Sequence, residues 1–155
     1  EPATVHPVVV VRRAVGSDAP RIADLYDQLV ANPDVNVLPE QIAAMALNPN
    51  AGLFVCEYEG QVKGTALVSL CQDVMFGVQP FAVVENVVVC RQARGQGLGS
   101  ALLRHIEAFG LANNCSKIML LSAVQRQDAH RFFERLGFSG GAKRGFVKYR
   151  SQMRA

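Results

Sequence analysis

The chain has 155 residues, half of them hydrophobic and 19% charged, with a net charge of +3. That is the composition of a globular chain and is too apolar for a disordered one. Charge forms no like-signed block, aromatics are few, tryptophan is absent, and no apolar run nears the ~20 residues of a membrane helix, so a cytoplasmic protein that engages neither nucleic acid nor membrane is expected.

In chain order, "VVVVRRAV" (8–15) is β-branched and reads as a strand. A helix signature follows, with Ser17 or Asp18 as cap, Pro20 in the first turn, and Ile22, Leu25, Leu29 and Val30 on one face. Pro33 stops it, and Pro39 opens a second short helix through Leu47. "GLFVCEY" and "QVKGTALVSL", joined by Glu59-Gly60, predict a hairpin. "DVMFGVQP" predicts a loop and "FAVVENVVVC" a strand. A glycine segment, "RQARGQGLGS", runs into a helix with Leu98, Leu102, Ile106 and Phe109 on one side. "KIMLLSAV" is apolar throughout, as expected of a central strand covered on both faces. "DAHRFFERLGF" predicts a helix capped by Asp128 and ended by Gly137, and "GFVKYR" a last strand. Early strands followed by strand-helix alternation imply an α+β domain over residues 1–155, a mixed sheet with helices on both faces.

Cys56, Cys71, Cys90 and Cys115 stand far apart, with no C-x-x-C pair and no histidine at ligand spacing. Free buried thiols are expected and a metal site is not. His105 falls on the polar side of its helix and is expected to be solvated, and His6 lies in the N-terminal tail. The chain begins at Glu1 rather than Met, so a targeting segment is left open.

Gly95, Gly97 and Gly99 crowd a helix start, where glycine is a poor choice. The first turn of a helix carries N–H groups without partners and the positive end of the peptide dipoles. Residues without side chains leave room for an anion there, and Arg94 adds a charged contact. A phosphate is the expected guest, although the segment matches neither G-x-x-x-x-G-K-[ST] nor G-x-G-x-x-G.

Arg94-x-x-Gly97-x-Gly99 after "VVENVVV" resembles the acetyl-CoA signature of the GNAT superfamily of N-acetyltransferases. "AHRFFERLGF" resembles that family's second signature, written A-x-x-F-Y-E-x-x-G-F. The resemblance covers nearly the whole chain. It implies a mostly antiparallel sheet of six to seven strands, with two parallel central strands splayed apart at their C-terminal ends. Acetyl-CoA is the implied co-substrate. Its pantetheine arm would pair with the backbone of Val87, Val88 and Val89, and its diphosphate would sit on the N–H groups of Arg94, Gly95, Gln96, Gly97, Leu98, Gly99 and Ser100. A backbone N–H near Val88 would hold the oxyanion.

An attacking alkylamine is mostly protonated near pH 7, so a base is required. Glu85 is the candidate, since a carboxylate amid "VVENVVV" opposes strand propensity and burial. Strict alternation puts it with Val83, Val87 and Val89 and sets Asn86 on the other face. The alternative for Glu85 is a solvent-facing strand end or a structural ion pair. The resemblance implies that a tyrosine protonates the leaving thiolate, but Phe133 holds that place among the cofactor contacts. Tyr149 on the expected last strand is the substitute weighed for the general acid, against core or pocket lining. Arg126 stands where relatives carry an asparagine near the cofactor and meets a phosphate or only solvent. His130 is either a substrate contact or a surface helix residue.

Within the family, "RQDAHRFFERLGF" and "KRGFVKY" look closest to the small-molecule branch that includes aminoglycoside 6'-acetyltransferases and aminoalkylphosphonate acetyltransferases. Residues 31–50 and 72–81 are expected to line the acceptor pocket, with Met75, Phe76 and Val78 giving apolar contacts. Acidic groups there are few (Asp34, Glu40, Asp73, Glu85), which favours a small monoamine over a polycation. The expected activity is acetyl transfer to a small primary amine. A protein or peptide N-acetyltransferase and a weakly catalytic acyl-CoA sensor are the alternatives, and a homodimer is left open.

Overall fold

The computed structural model describes residues 8–155, so His6 and the targeting question lie outside the described residues. Contacts divide the chain into two compact units, Glu1–Leu120 and Leu121–Ala155.

The first unit contains β1 (Val9–Arg13), α1 (Ala19–Leu29), α2 (Pro39–Ala46), β2 (Ala51–Tyr58), β3 (Gln61–Cys71), β4 (Phe81–Val89), α3 (Leu98–Ala112) and β5 (Ile118–Leu120). The strands form one sheet in sequential order, β1 to β4 antiparallel and β5 parallel to β4. The mixed α+β class is as expected, with five strands among the described residues in place of six to seven. The β2–β3 hairpin turns on Glu59 and Gly60, both at positive φ, the primed turn that matches strand twist.

α3 covers one face of the sheet. Its Leu98, Leu102 and Ile106 are buried, and it lies so near β3 that a Cβ on Gly64 would come 3.1 Å from Leu102 Cδ1. On that face Phe54 meets the His105 and Phe109 rings edge-on at 4.6 and 5.8 Å, and His105 is exposed, as its place on the polar side of the helix predicts. α1 covers the opposite face with buried Ile22 and Leu25, while Val30, expected on that apolar side, is an exposed C-cap.

Asp18 does not cap α1 with its side chain. It accepts the Val15 N–H at 2.8 Å and a bidentate pair from Arg12 at 2.7 and 3.0 Å. Arg12 also reaches Glu57 at 3.0 Å, tying β1, β2 and the start of α1 together.

"KIMLLSAV" yields only the three-residue β5, half-buried at the sheet edge rather than central. Its apolar run continues beyond the point where a partner strand supplies hydrogen bonds, and hydropathy alone does not mark that point.

The second unit is built on α4 (Gln127–Arg135). Arg126 occupies the N-cap position, so Asp128 lies inside the first turn, where it bonds Arg131. The helix ends in a Schellman motif. Gly137 at φ 93° donates to the Glu134 carbonyl at 3.0 Å, and Phe138 to that of Phe133 at 3.1 Å. "GFVKYR" is not a strand. Among the described residues no strand pairs with it, and without a ladder its alternation buries nothing, so Phe146 is 87% exposed. A short 3-10 turn, Arg150–Gln152, follows.

Candidate active site

β4 carries the first half of the site, and its geometry departs from simple alternation. Glu85 pairs with Leu67 and Val88 with Thr65, so Asn86 and Val87 together stand opposite Ala66 alone. This is a β-bulge, and Asn86 adopts φ 57°, a left-handed conformation that asparagine tolerates better than most residues. The bulge turns Glu85 and Val88 to one face, where alternation had grouped Glu85 with Val87 and Val89. Glu85 is exposed and joins no ion pair among the described residues, so the structural ion pair weighed for it is not formed.

The parallel ladder to β5 covers Ala82, Val83 and Val84 and stops there. From Glu85 to Val89, β4 has β3 on one side and, among the described residues, no strand pairing on the other. Its open backbone is therefore an edge to which an extended chain can add.

β4 then passes through Cys90 and a 3-10 turn, Arg91–Ala93, into the glycine segment. Ala93 and Leu98 are buried at its two ends, while Arg94, Gly95, Gln96 and Gly97 between them are exposed. Gly95 (φ 78°) and Gly97 (φ 82°) are left-handed, and a Cβ on either would meet nothing within 4 Å. The two glycines are thus required by backbone conformation more than by a close neighbour. Gly99 lies within the first turn of α3.

Gly97 is the N-cap of α3 and no side chain caps the helix. The first bond to close is from Ala101 N–H to the Gly97 carbonyl at 3.0 Å, which leaves the N–H groups of Leu98, Gly99 and Ser100 open. Leu98 offers only its backbone, because its side chain belongs to the core. Together with the exposed Arg94, these donors suit a diphosphate.

Residues 21–138 match the sequence profile described as "Acetyltransferase (GNAT) family". The chain belongs to the GNAT family. It is an acetyl-CoA-dependent acyltransferase, as its relatives also indicate. It is 29% identical over 136 residues to an aminoalkylphosphonate N-acetyltransferase of Salmonella typhimurium (strain LT2), covering 86% of this chain and 87% of that one. It is 29% identical over 130 residues to an aminoglycoside N(6')-acetyltransferase type 1 of Stenotrophomonas maltophilia, covering 83% and 84%. Its fold matches that of glucosamine-6-phosphate N-acetyltransferase from Arabidopsis thaliana with a TM-score of 0.76, at 22% identity, covering 92% of this chain and 99% of that one.

Three features of this GNAT acetyltransferase were not marked by sequence motifs. Tyr26 on α1 stands beside the bulge; burial pushes its phenol up, and a hydrogen bond to Asn86 offsets part of that. Gln28, two residues further along α1, accepts the Arg91 N–H at 2.9 Å and faces the Cys90 thiol at 3.7 Å. Burial raises the Cys90 thiol, but the Gln28 side-chain amide, the Gln92 backbone N–H and the charges of Arg21 and Lys63 outweigh it and hold the thiol below its ordinary range. Cys56, by contrast, is pushed up to about 11 by burial and by Glu57. Cys56 and Cys90 are buried free thiols as expected, whereas Cys71 and Cys115 are only half-buried.

In the second unit, Phe133 is buried against Phe132 and Phe138, with ring centroids 5.3 and 6.1 Å away. The latter contact is the hydrophobic clasp of the Schellman motif. Tyr149 is exposed at the N-cap of the final 3-10 turn, neither on a strand nor in a core. Arg126 is exposed at the head of α4. His130 Nε2 lies 2.9 Å from the Ala123 carbonyl, which only accepts, so that nitrogen carries the proton and the ring serves a local structural bond.

Of the segments expected to line an acceptor pocket, 31–50 and 72–81 meet at a cleft of about 400 Å³ bordered by Asn50, Leu70, Gln72, Val78 and Pro80. Leu70 pairs with Ala82, at the end of β4 away from the glycine segment. Pro80 is five residues from Glu85, roughly 16 Å along a strand. Met75 and Phe76 point to solvent instead.

Proposed function

We propose that this protein transfers the acetyl group of acetyl-CoA directly to the primary amine of a small molecule. The observation that carries the reading is the pairing of two open backbone surfaces at the end of β4: the side of Glu85–Val89 turned away from β3, which no strand among the described residues covers, and the uncapped N–H groups of Leu98–Ser100. Pantetheine and its diphosphate demand those two surfaces in that order. The named small-molecule acetyltransferases among its relatives support the amine class.

In this reading Val87, Val88 and Val89 pair with the pantetheine amides. The N–H groups of Gly95 to Ser100, with Arg94, hold the diphosphate. Gln96 and Gly97 contribute through the backbone alone. Glu85, on the same face as Val88, takes a proton from the ammonium directly or through water. The freed nitrogen lone pair attacks the thioester carbon, and the oxygen gains negative charge that the Val88 N–H stabilises. The C–S bond then breaks as the nitrogen sheds its remaining extra proton to solvent, and the thiolate leaves and takes a proton from solvent, because Phe133 has none to give. Tyr149 remains the side chain assigned as alternative acid, and Arg126 an additional phosphate contact.

Release of free CoA thiol, followed over a panel of small amines and peptides, tests the reading. Wild type is expected to turn over a small amine, and Glu85→Gln to lose a factor of about 10² to 10⁴ in kcat with little change in acetyl-CoA affinity. Undiminished turnover by Glu85→Gln contradicts the base assignment. A second reading, an acyl-CoA sensor, draws on the burial of Phe133 at the usual tyrosine position; tight acetyl-CoA binding without turnover of any acceptor would favour it.

A further inference from the structure

The junction between β4 and the glycine segment is held by few bonds, and each has a named partner. Cys90 N–H closes the antiparallel ladder on the Lys63 carbonyl at 2.8 Å. Ala93 N–H folds back to the Cys90 carbonyl at 2.9 Å, making the 3-10 turn. The Cys90 thiol donates to Gln92 Oε1 at 2.9 Å, also within the turn. The Arg91 N–H points away from both strand and turn, and its partner is Gln28 Oε1, 63 residues earlier on α1. The same carboxamide turns its Nε2 toward the Cys90 sulfur at 3.7 Å. One side chain therefore addresses the last residue after the strand and the first of the turn.

We infer that Gln28 is a positioning residue for the diphosphate: by binding Arg91 N–H it fixes where the β4 ladder ends and so where the open N–H groups of the glycine segment stand. Two residues, Gln92 and Ala93, separate Arg91 from Arg94, and Ala93 is buried, so a shift at Arg91 is passed along a short, anchored segment. Gln28 belongs to neither signature segment and does not itself touch the diphosphate. The inference rests on reading the glycine segment as the diphosphate site.

Two acetyl donors separate this role from general support of the fold: acetyl-CoA, and S-acetylpantetheine, which has the thioester and amides but no phosphate. Gln28→Met keeps side-chain length and removes the acceptor. It is expected to raise KM for acetyl-CoA about three- to tenfold, the size of one lost hydrogen bond, while leaving kcat within about twofold and kcat/KM for S-acetylpantetheine unchanged. Cys90→Ala, which leaves the Gln28–Arg91 bond in place, is expected to keep KM for acetyl-CoA within about twofold. If Gln28→Met does not fold, Gln28→Leu takes its place. Equal losses with both donors, no loss with either, or a tenfold KM rise in Cys90→Ala would overturn the inference. If wild type itself does not prefer acetyl-CoA over S-acetylpantetheine, the diphosphate reading fails first and the inference falls with it.

Discussion

Arg12 and Asp18 show how one ion pair sets both local geometry and acid sensitivity. The Arg12 guanidinium holds the Asp18 carboxyl below the ordinary carboxylate range; burial opposes this, and the Val15 N–H adds to it. A depressed carboxyl pKa means that the unfolded chain binds a proton at acidic pH that the folded chain refuses. The stabilisation is therefore complete above the unfolded value near 3.8 and is lost as pH falls through the lower folded value. Asp18→Asn should cost about 2–3 kcal/mol at pH 7, between an exposed and a fully buried pair. In urea unfolding the gap between wild type and Asp18→Asn should narrow as pH drops below about 4. A gap that stays constant to pH 3 would contradict the assignment. Sequence patterning placed Asp18 at a helix start, correctly, but as a cap; only the fold brings Arg12 to it. Asn86 is a similar case. Its neighbours were read as an alternating strand, and the bulge that reverses the faces after Glu85 has no mark in the sequence beyond an asparagine amid valines.

Among the elements, the long periodic ones were the most legible. α1, α2, the β2–β3 hairpin, β4, α3 and α4 all lie where turn chemistry, proline and glycine stops and apolar spacing put them, although neither Asp18 nor Asp128 caps its helix with its side chain. The failures are elements whose existence depends on a neighbour: β5 is three residues long because the ladder to β4 ends at Val84, and "GFVKYR" has no partner strand. α3 is held against β3 by the absence of a side chain at Gly64, where a Cβ already meets Leu102 at 3.1 Å. Gly64→Val supplies a residue that strands favour, yet it drives two further methyl groups into the helix interface. It is expected to destabilise by about 1–3 kcal/mol in denaturant unfolding, with Gly64→Ala costing less. Valine tolerated without loss would mean that the α3–β3 contact is looser than the geometry implies.

For the whole molecule, family and chemistry were legible because both reside in short motifs with a physical purpose, the glycine segment and the α4 helix with its Gly-Phe stop. The acceptor was not legible, since the segments expected to surround it converge on a cleft at the other end of β4 from the glycine segment. The catalytic account depends instead on one property of the fold: an uncapped helix start, kept open by two left-handed glycines, beside a strand with a free edge. Calorimetric titration of CoA into wild type and Gly97→Val tests it most directly. Valine at φ 82° costs about 1–3 kcal/mol and tilts the N–H groups away from their common focus. Wild type should bind CoA with measurable heat, and the folded Gly97→Val protein should bind it at least about tenfold more weakly; equal affinity in the two, or no heat with wild type, would contradict the account.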